Sequence, residues 1–181
     1  MNARAFIVAL LGAESSGKTT LAAEIGAALA ARGFGVEVVA EALREFCDTH
    51  ARTPRRDEQA ALAAAQTARI EVAAGRAEIV VADTTALMVA VYSGFVFGDD
   101  SLVEAALAAQ RRVDLTLLAA LDLPWRADGL QRDGAHVREP VDAMLRGALA
   151  RGGIAFTTIA GIGGDRLAAA MRAVDAALAA R

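Results

Sequence analysis

The chain has 181 residues, a formal net charge of −3 and 55% hydrophobic residues, the size of one compact domain. Of the hydrophobic residues, 46 are Ala and 47 are Leu, Ile, Val or Phe, enough apolar volume to build a core and to exclude wholesale disorder. The acidic balance gives no summed field toward nucleic acid or an anionic membrane, and the longest apolar stretch near the start, residues 5–11, is far short of the ~20 needed to span a bilayer.

Residues 6–11 form a continuous apolar run ended by Gly12, the pattern of a strand buried on both faces of a parallel sheet. Leu21, Ile25, Ala28 and Leu29 repeat at helical spacing over residues 18–32, and Gly33 and Gly35 punctuate the end. Residues 36–40 read as a second strand that stops at Glu41, which completes a βαβ unit. A short helix over 42–47 follows, then a longer one that starts at Thr53-Pro54 and runs to Ala74, with Gly75 as its stop. The third strand is predicted over 79–82, ending at Asp83. Helices are expected over 84–92 and 101–111 around a turn at 93–100, and the fourth strand over 113–121. A lid-like loop spans about 122–134, followed by a helix over 137–151, a fifth strand over 154–159 and a helix over 165–180. Strands alternating with helices predict a single three-layer α/β domain over 1–181, with about five parallel strands and helices on both faces. No 20-to-50-residue period marks a repeat protein.

Gly12-Ala13-Glu14-Ser15-Ser16-Gly17-Lys18-Thr19 matches G-x-x-x-x-G-K-[ST] between a predicted strand and a predicted helix, the context that the motif requires. The glycines let the backbone wrap so that several N–H groups and the helix N-terminus converge on a polyphosphate. Lys18 would neutralise the β- and γ-phosphates of ATP, Thr19 would coordinate Mg²⁺, and Thr20 is placed to reach the α-phosphate. Lys18 is also the only lysine beside 18 arginines, so the one ammonium group stands where Arg and Lys are not interchangeable. A fortuitous glycine turn is the alternative.

In a doubly wound sheet ligands sit at the carboxyl ends of the strands, which puts Glu41 and Asp83 on the rim shared with the glycine-rich loop. Asp83 after its apolar strand is the type of acid that holds Mg²⁺, or else it is a helix N-cap ahead of Thr84. Glu41 is a base for a substrate hydroxyl proton, or an ordinary first-turn carboxylate. Arg44, three residues on, could grip a substrate or phosphate or simply pair with Glu41. Arg126 and Arg132 flank Asp128-Gly129 in a cationic segment suited to closing over phosphates, with solvated loop charges as the alternative. Gly161 and Gly163 would let backbone lie flat against a ligand such as adenine, or form only a flexible turn. The basic residues of 52–56 and 111–112, and the histidines 50 and 136, read as surface groups. Cys47 is alone, so no internal disulfide forms, no Cys/His zinc set can be assembled, and a reducing cytoplasm is the expected location. Arg4 and its apolar run lead straight into the glycine motif, so the start reads as mature sequence rather than a signal peptide.

Taken in order, the glycine motif, Glu41-Ala42-Leu43-Arg44-Glu45-Phe46, Val81-Ala82-Asp83-Thr84, Val113-Asp114-Leu115-Thr116-Leu117-Leu118 and Trp125-Arg126-Ala127-Asp128-Gly129-Leu130 resemble the NadR-type nicotinamide riboside kinase domain over nearly the whole chain. With the glycine motif, the resemblance implies a three-layer α/β P-loop kinase-like fold, like that of nucleotide and nucleoside kinases. It further implies transfer of the ATP γ-phosphoryl to the 5′-hydroxyl of nicotinamide riboside, giving nicotinamide mononucleotide for NAD salvage. It puts the Glu41 block and Asp83 on the substrate side, where Arg44 and Tyr92 are also counted. Ala40 stands where a stacking aromatic is expected, and Gln131 where the lid arginine should follow Asp-Gly-x, which leaves Arg132 one place on. The accompanying adenylyltransferase is not part of the resemblance, so making NAD is expected to need another protein. The expectation is therefore an ATP- and Mg²⁺-dependent kinase of a nucleoside-like alcohol with Glu41 or Asp83 as base, possible homo-oligomerisation, and no nucleic-acid partner. The alternatives are a regulatory ATP-binding module or slow ATPase of the same fold, and a kinase of another nucleoside-like alcohol.

Overall fold

In the computed structural model, which describes residues 4–126 and 134–181, strand β1 (Phe6–Leu11) is buried at every position. It lies at the centre of a five-stranded parallel sheet of order β2-β3-β1-β4-β5, with β2 at Val36–Val39, β3 at Ile79–Asp83, β4 at Leu115–Ala119 and β5 at Thr157–Ile159. Burial on both faces explains the unbroken apolar run: Phe6, Val8 and Leu10 pack with Leu21, Ile25 and Leu29 of α1 (Lys18–Ala31) and with Met171 and Val174 of α7 (Gly164–Ala179). From the opposite face Ile7 joins Val80, Ala82 and Ile70 of α3 (Gln59–Ala74). Leu11 and Leu118 cover the core built by α4 (Ala86–Phe97), α5 (Val103–Gln110) and α6 (Arg138–Arg151). Helix α2 (Ala42–His50) joins β2 to α3. The five-stranded parallel sheet with helices on both faces is as the alternation predicts.

Several element ends differ from the sequence reading. The turn expected over 93–100 is helix as far as Phe97: α4 is apolar nearly all round because it lies beneath its neighbours, and Gly98, at φ 64°, ends it. Gly94 is there for close approach rather than for a break, since a Cβ would lie 2.6 Å from Asp100 Oδ1. Helix α4 begins at Thr85, whose Oγ1 accepts the Leu87 N–H, so Thr85 and not Asp83 is the cap. The fifth strand is shorter than 154–159 because α6 closes in a Schellman turn: Gly153 takes φ 64° and Ile154 donates its N–H to Leu149 O at 3.0 Å. Residues 120–121 lie beyond β4, and α3 is preceded by a 3₁₀ turn over Arg56–Glu58 that Arg52 clamps through both Glu58 oxygens.

A chain of buried polar side chains links three elements of the core. Thr85 Oγ1 donates to Gln110 Oε1 at 2.6 Å, and Gln110 Nε2 donates to Thr116 Oγ1 at 3.0 Å, tying α4, α5 and β4 together. The basic residues of the sequence clusters pair at the surface, Arg56 with Asp99 and Arg112 with Glu71. Cys47 is buried, and His50 stacks on Phe46. Among the described residues no helix is long and apolar enough to cross a membrane.

Leu87 is fully enclosed in the core under β1 and β4. Leu87→Ala is expected to cost about 2–5 kcal/mol of unfolding free energy, read as a lower urea midpoint at unchanged slope.

Candidate active site

The chain leaves β1 into a loop with positive φ at Gly12, Ser15 and Gly17. Gly12 sits at φ 145°, where a Cβ would lie 3.0 Å from Ser16 Oγ and 3.1 Å from Ala119, so the β1 and β4 ends can touch only because it has none. Gly17 at φ 78° opens α1, and Ser15 also takes a left-handed conformation, at φ 52°. Ser16 Oγ donates to Ala13 O at 2.7 Å, and Lys18 Nζ folds back to donate to the same carbonyl at 2.9 Å. The loop encloses a cradle at the N-terminus of a 14-residue helix.

Parallel pairing of β1 with β3 sets Leu10 opposite Asp83, one residue short of the loop. The Thr19 hydroxyl donates to Asp83 Oδ2 at 2.6 Å, while Asp83 Oδ1 is buried with no hydrogen-bond partner among the described residues. Glu41 stands at the N-cap of α2, just beyond β2, and is half-buried. These acids reach one another through Lys18. Burial pushes the Lys18 ammonium below its usual value of 10.5, while the carboxylates of Glu41, Asp83 and Glu14 pull it back up and Arg44 pushes it down. Five of the side chains singled out from sequence thus share one electrostatic field, although Arg44, like Thr20, is solvent-exposed.

Tyr92 reaches the loop rather than open space: its hydroxyl accepts the Glu14 N–H at 3.1 Å. Glu14 Oε1 accepts from Trp125 Nε1 at 3.1 Å, and Arg126 donates its backbone N–H to Ser15 Oγ at 2.8 Å. The start of the lid-like segment is therefore stitched to the cradle, with the Arg126 side chain exposed. Arg132 lies outside the described residues.

Two residues with no sequence motif hold the other wall. Arg166, 4% exposed, donates to Ser16 O at 2.9 Å, Gly161 O at 3.0 Å and Asp122 Oδ1 at 2.7 Å. Asp122 Oδ2 in turn accepts the Gly161 N–H at 2.6 Å. Burial pushes the Asp122 carboxyl up, but the Gly161 N–H and the Arg166 guanidinium outweigh it and hold the group below its usual value. Gly161, at φ 102°, and Gly163, at φ 54°, thus sit on a turn bolted to the glycine-rich loop. An arginine one place past an acidic helix start looks like ordinary surface charge; only the burial of the guanidinium reveals its task.

A family profile described as an AAA domain matches residues 7–166. The chain belongs to this AAA-domain family. Among solved structures, that of a NadR protein in complex with NAD and AMP-PNP is similar with a TM-score of 0.73 and 19% identity, over 98% of this chain and 50% of that one. A NadR protein in complex with NR gives a TM-score of 0.75 and 21% identity, over 95% and 50%. Thymidylate kinase from Ehrlichia chaffeensis gives 0.68 and 13%, over 96% and 99%. No curated protein matches the chain. The fold is therefore that of P-loop kinases and of the matching part of NadR, and the chain spans about half the length of the NadR chains.

The folded, nucleotide-free chain binds fewer protons than the unfolded chain between the depressed Lys18 value and 10.5, so its stability rises with pH across that window. Lys18→Met is expected to flatten that rise, to raise the nucleotide-free Tm at neutral pH, and to abolish the Tm increase that ATP gives the unaltered chain; thermal unfolding over a pH series, with and without ATP, measures all three.

Proposed function

We propose that the chain is an ATP-dependent kinase of a small nucleoside-like alcohol, with the 5′-hydroxyl of nicotinamide riboside as the leading acceptor and nicotinamide mononucleotide as the product. The observation that carries this reading is the 2.6 Å contact of Thr19 with Asp83 beside the desolvated ammonium of Lys18. A hydroxyl and one carboxylate, whose second oxygen is buried without a partner among the described residues, suit a cation that takes the rest of its oxygen shell from phosphates and water. Thr19 and Asp83 would hold Mg²⁺, which when bound spreads the charge of the β- and γ-phosphates. No cluster of three His, Cys, Asp or Glu side chains that could bind a metal unaided occurs among the described residues.

The backbone amides of the glycine-rich loop and Lys18 hold the triphosphate, whose charge also offsets the cost of desolvating that ammonium. With Asp83 engaged by Thr19, Glu41 is the base. It takes the hydroxyl proton while the acceptor oxygen bonds to the γ-phosphorus, the bond from that phosphorus to the β–γ bridging oxygen breaks, and ADP leaves. Arg44 serves the acceptor side together with Tyr92, whose hydroxyl accepts the Glu14 N–H, and Arg126 or Arg132 closes over the phosphates to exclude water. Gly161 and Gly163 form the shelf for the nucleotide base. The fold shared with a NadR protein in complex with NR supports a nucleoside-like acceptor. Ala40, exposed beside Glu41, is where acceptor choice is most open to difference.

The test is ADP release from Mg-ATP with and without nicotinamide riboside and other nucleosides, with Lys18→Ala as the blank. Strong stimulation by one nucleoside with its 5′-phosphate as product is the expected result. Turnover that ignores every acceptor would instead make the chain an ATPase or a regulatory module. Glu41→Gln is expected to lower kcat by roughly 10² to 10⁴ with the ATP-induced thermal shift retained, and an unchanged kcat would move the base to Asp83.

A further inference from the structure

The two acids of the site stand at the ends of separate strands, Asp83 closing β3 and Glu41 just past β2, and one buried side chain reaches the backbone beside both. Gln66 on α3 is 1% exposed. Its Oε1 accepts the Ala42 N–H at 2.7 Å, and its Nε2 faces two carbonyls, Ala40 O at 3.4 Å and Thr84 O at 3.3 Å. The partners fix the amide orientation, because a flipped amide would set N–H against N–H and oxygen against oxygen. Gln66 thereby grips the residue on either side of Glu41 and the residue after Asp83.

Thr84 makes that grip informative. It is a β-branched residue at φ 70°, a conformation that persists only where the surroundings enforce it. Its N–H is held by Leu10 O at 3.0 Å, the last rung of β1, and its carbonyl is held by Gln66. The twist at Thr84 turns the chain from Asp83 into α4 and so fixes where the Asp83 carboxylate stands under the glycine-rich loop. A buried amide with no motif around it, spent on three backbone groups that flank two acids, is a brace.

We infer that Gln66 is a positioning residue for phosphoryl transfer, holding the Glu41 segment and the Asp83–Thr84 turn in one register so that base and metal-side acid face the same reacting centre. The transfer part rests on the function proposed above; the bracing does not.

Two variants test it. Gln66→Leu keeps approximate volume and removes all three hydrogen bonds. Gln66→Glu still accepts from Ala42 but, when ionised, sets a carboxylate against two carbonyls; when protonated, its O–H again donates. Buried and facing carbonyl oxygens, that carboxyl titrates above the usual ~4.3. Amide hydrogen exchange on the nucleotide-free protein reads the brace directly: faster exchange at Ala42 and Thr84 in Gln66→Leu, with β4 and α7 unchanged, is expected. Kinetics read the consequence: acceptor-dependent kcat falls by about a hundredfold in Gln66→Leu, with the ATP-induced thermal shift kept. Gln66→Glu shares the loss at pH 8.5 and recovers relative to the unaltered chain as pH falls toward 6. Unchanged exchange at both segments overturns the inference, as does wild-type kcat in either variant, or a loss in Gln66→Glu that is the same at every pH. If the unaltered chain phosphorylates no acceptor, the kinase reading fails, and the exchange result alone decides whether Gln66 braces the two segments.

Discussion

Everything in the site hangs on the parallel pairing of β1 with β3. That register sets Leu10 beside Asp83 and delivers the glycine-rich loop and the acid to the same end of the sheet. Neighbouring strands lie about 4.8 Å apart, so residues leaving adjacent strand ends are within side-chain reach without further engineering. The Thr19–Asp83 hydrogen bond, the field around Lys18 and the Thr84 turn all follow from it. A one-residue slip would point Asp83 to the opposite face and part it from Thr19. The sheet is buried on both sides of these strands, and that burial is what makes such a slip costly.

The same region concentrates several unfavourable local features. Ser15 and Thr84 hold left-handed backbone without being glycine, an ammonium is desolvated, and an Asp oxygen is buried without a partner among the described residues. None of these stabilises the fold. They persist because α1, α3 and α7 each contribute apolar surface to the sheet and one or two polar side chains to its rim. Arg166 and Gln66 illustrate the division: each comes from a helix packed on the sheet, and each spends its polar head on loop backbone at the strand ends.

The strands and the glycine-rich loop were legible because their signals are local: an unbroken apolar run for a doubly covered strand, and a fixed spacing of Gly, Lys and Thr for a phosphate cradle. Glu41 and Asp83 were legible for a topological reason, since each follows a predicted strand of a parallel sheet. What was hidden depends on distant contacts. Gly94 reads as a turn until the approach of Asp100 is seen, and Ile154 reads as strand until the Schellman closure claims it. Tyr92 was singled out for the acceptor side, but its bond to the Glu14 amide could not be read from a separation of 78 residues. Gln66 and Arg166 sit among alanines on amphipathic helices, where nothing in composition distinguishes a polar residue that faces water from one that is swallowed whole.

The placement of Lys18 has a chemical corollary. Because the sequence contains no other lysine, every amine-directed reaction on a side chain, whether acylation, reductive alkylation or imine formation, has a single address. Desolvation raises the neutral, nucleophilic fraction of that amine at any given pH. The cradle thus holds the single side-chain amine through which a label of that chemistry could enter the described fold.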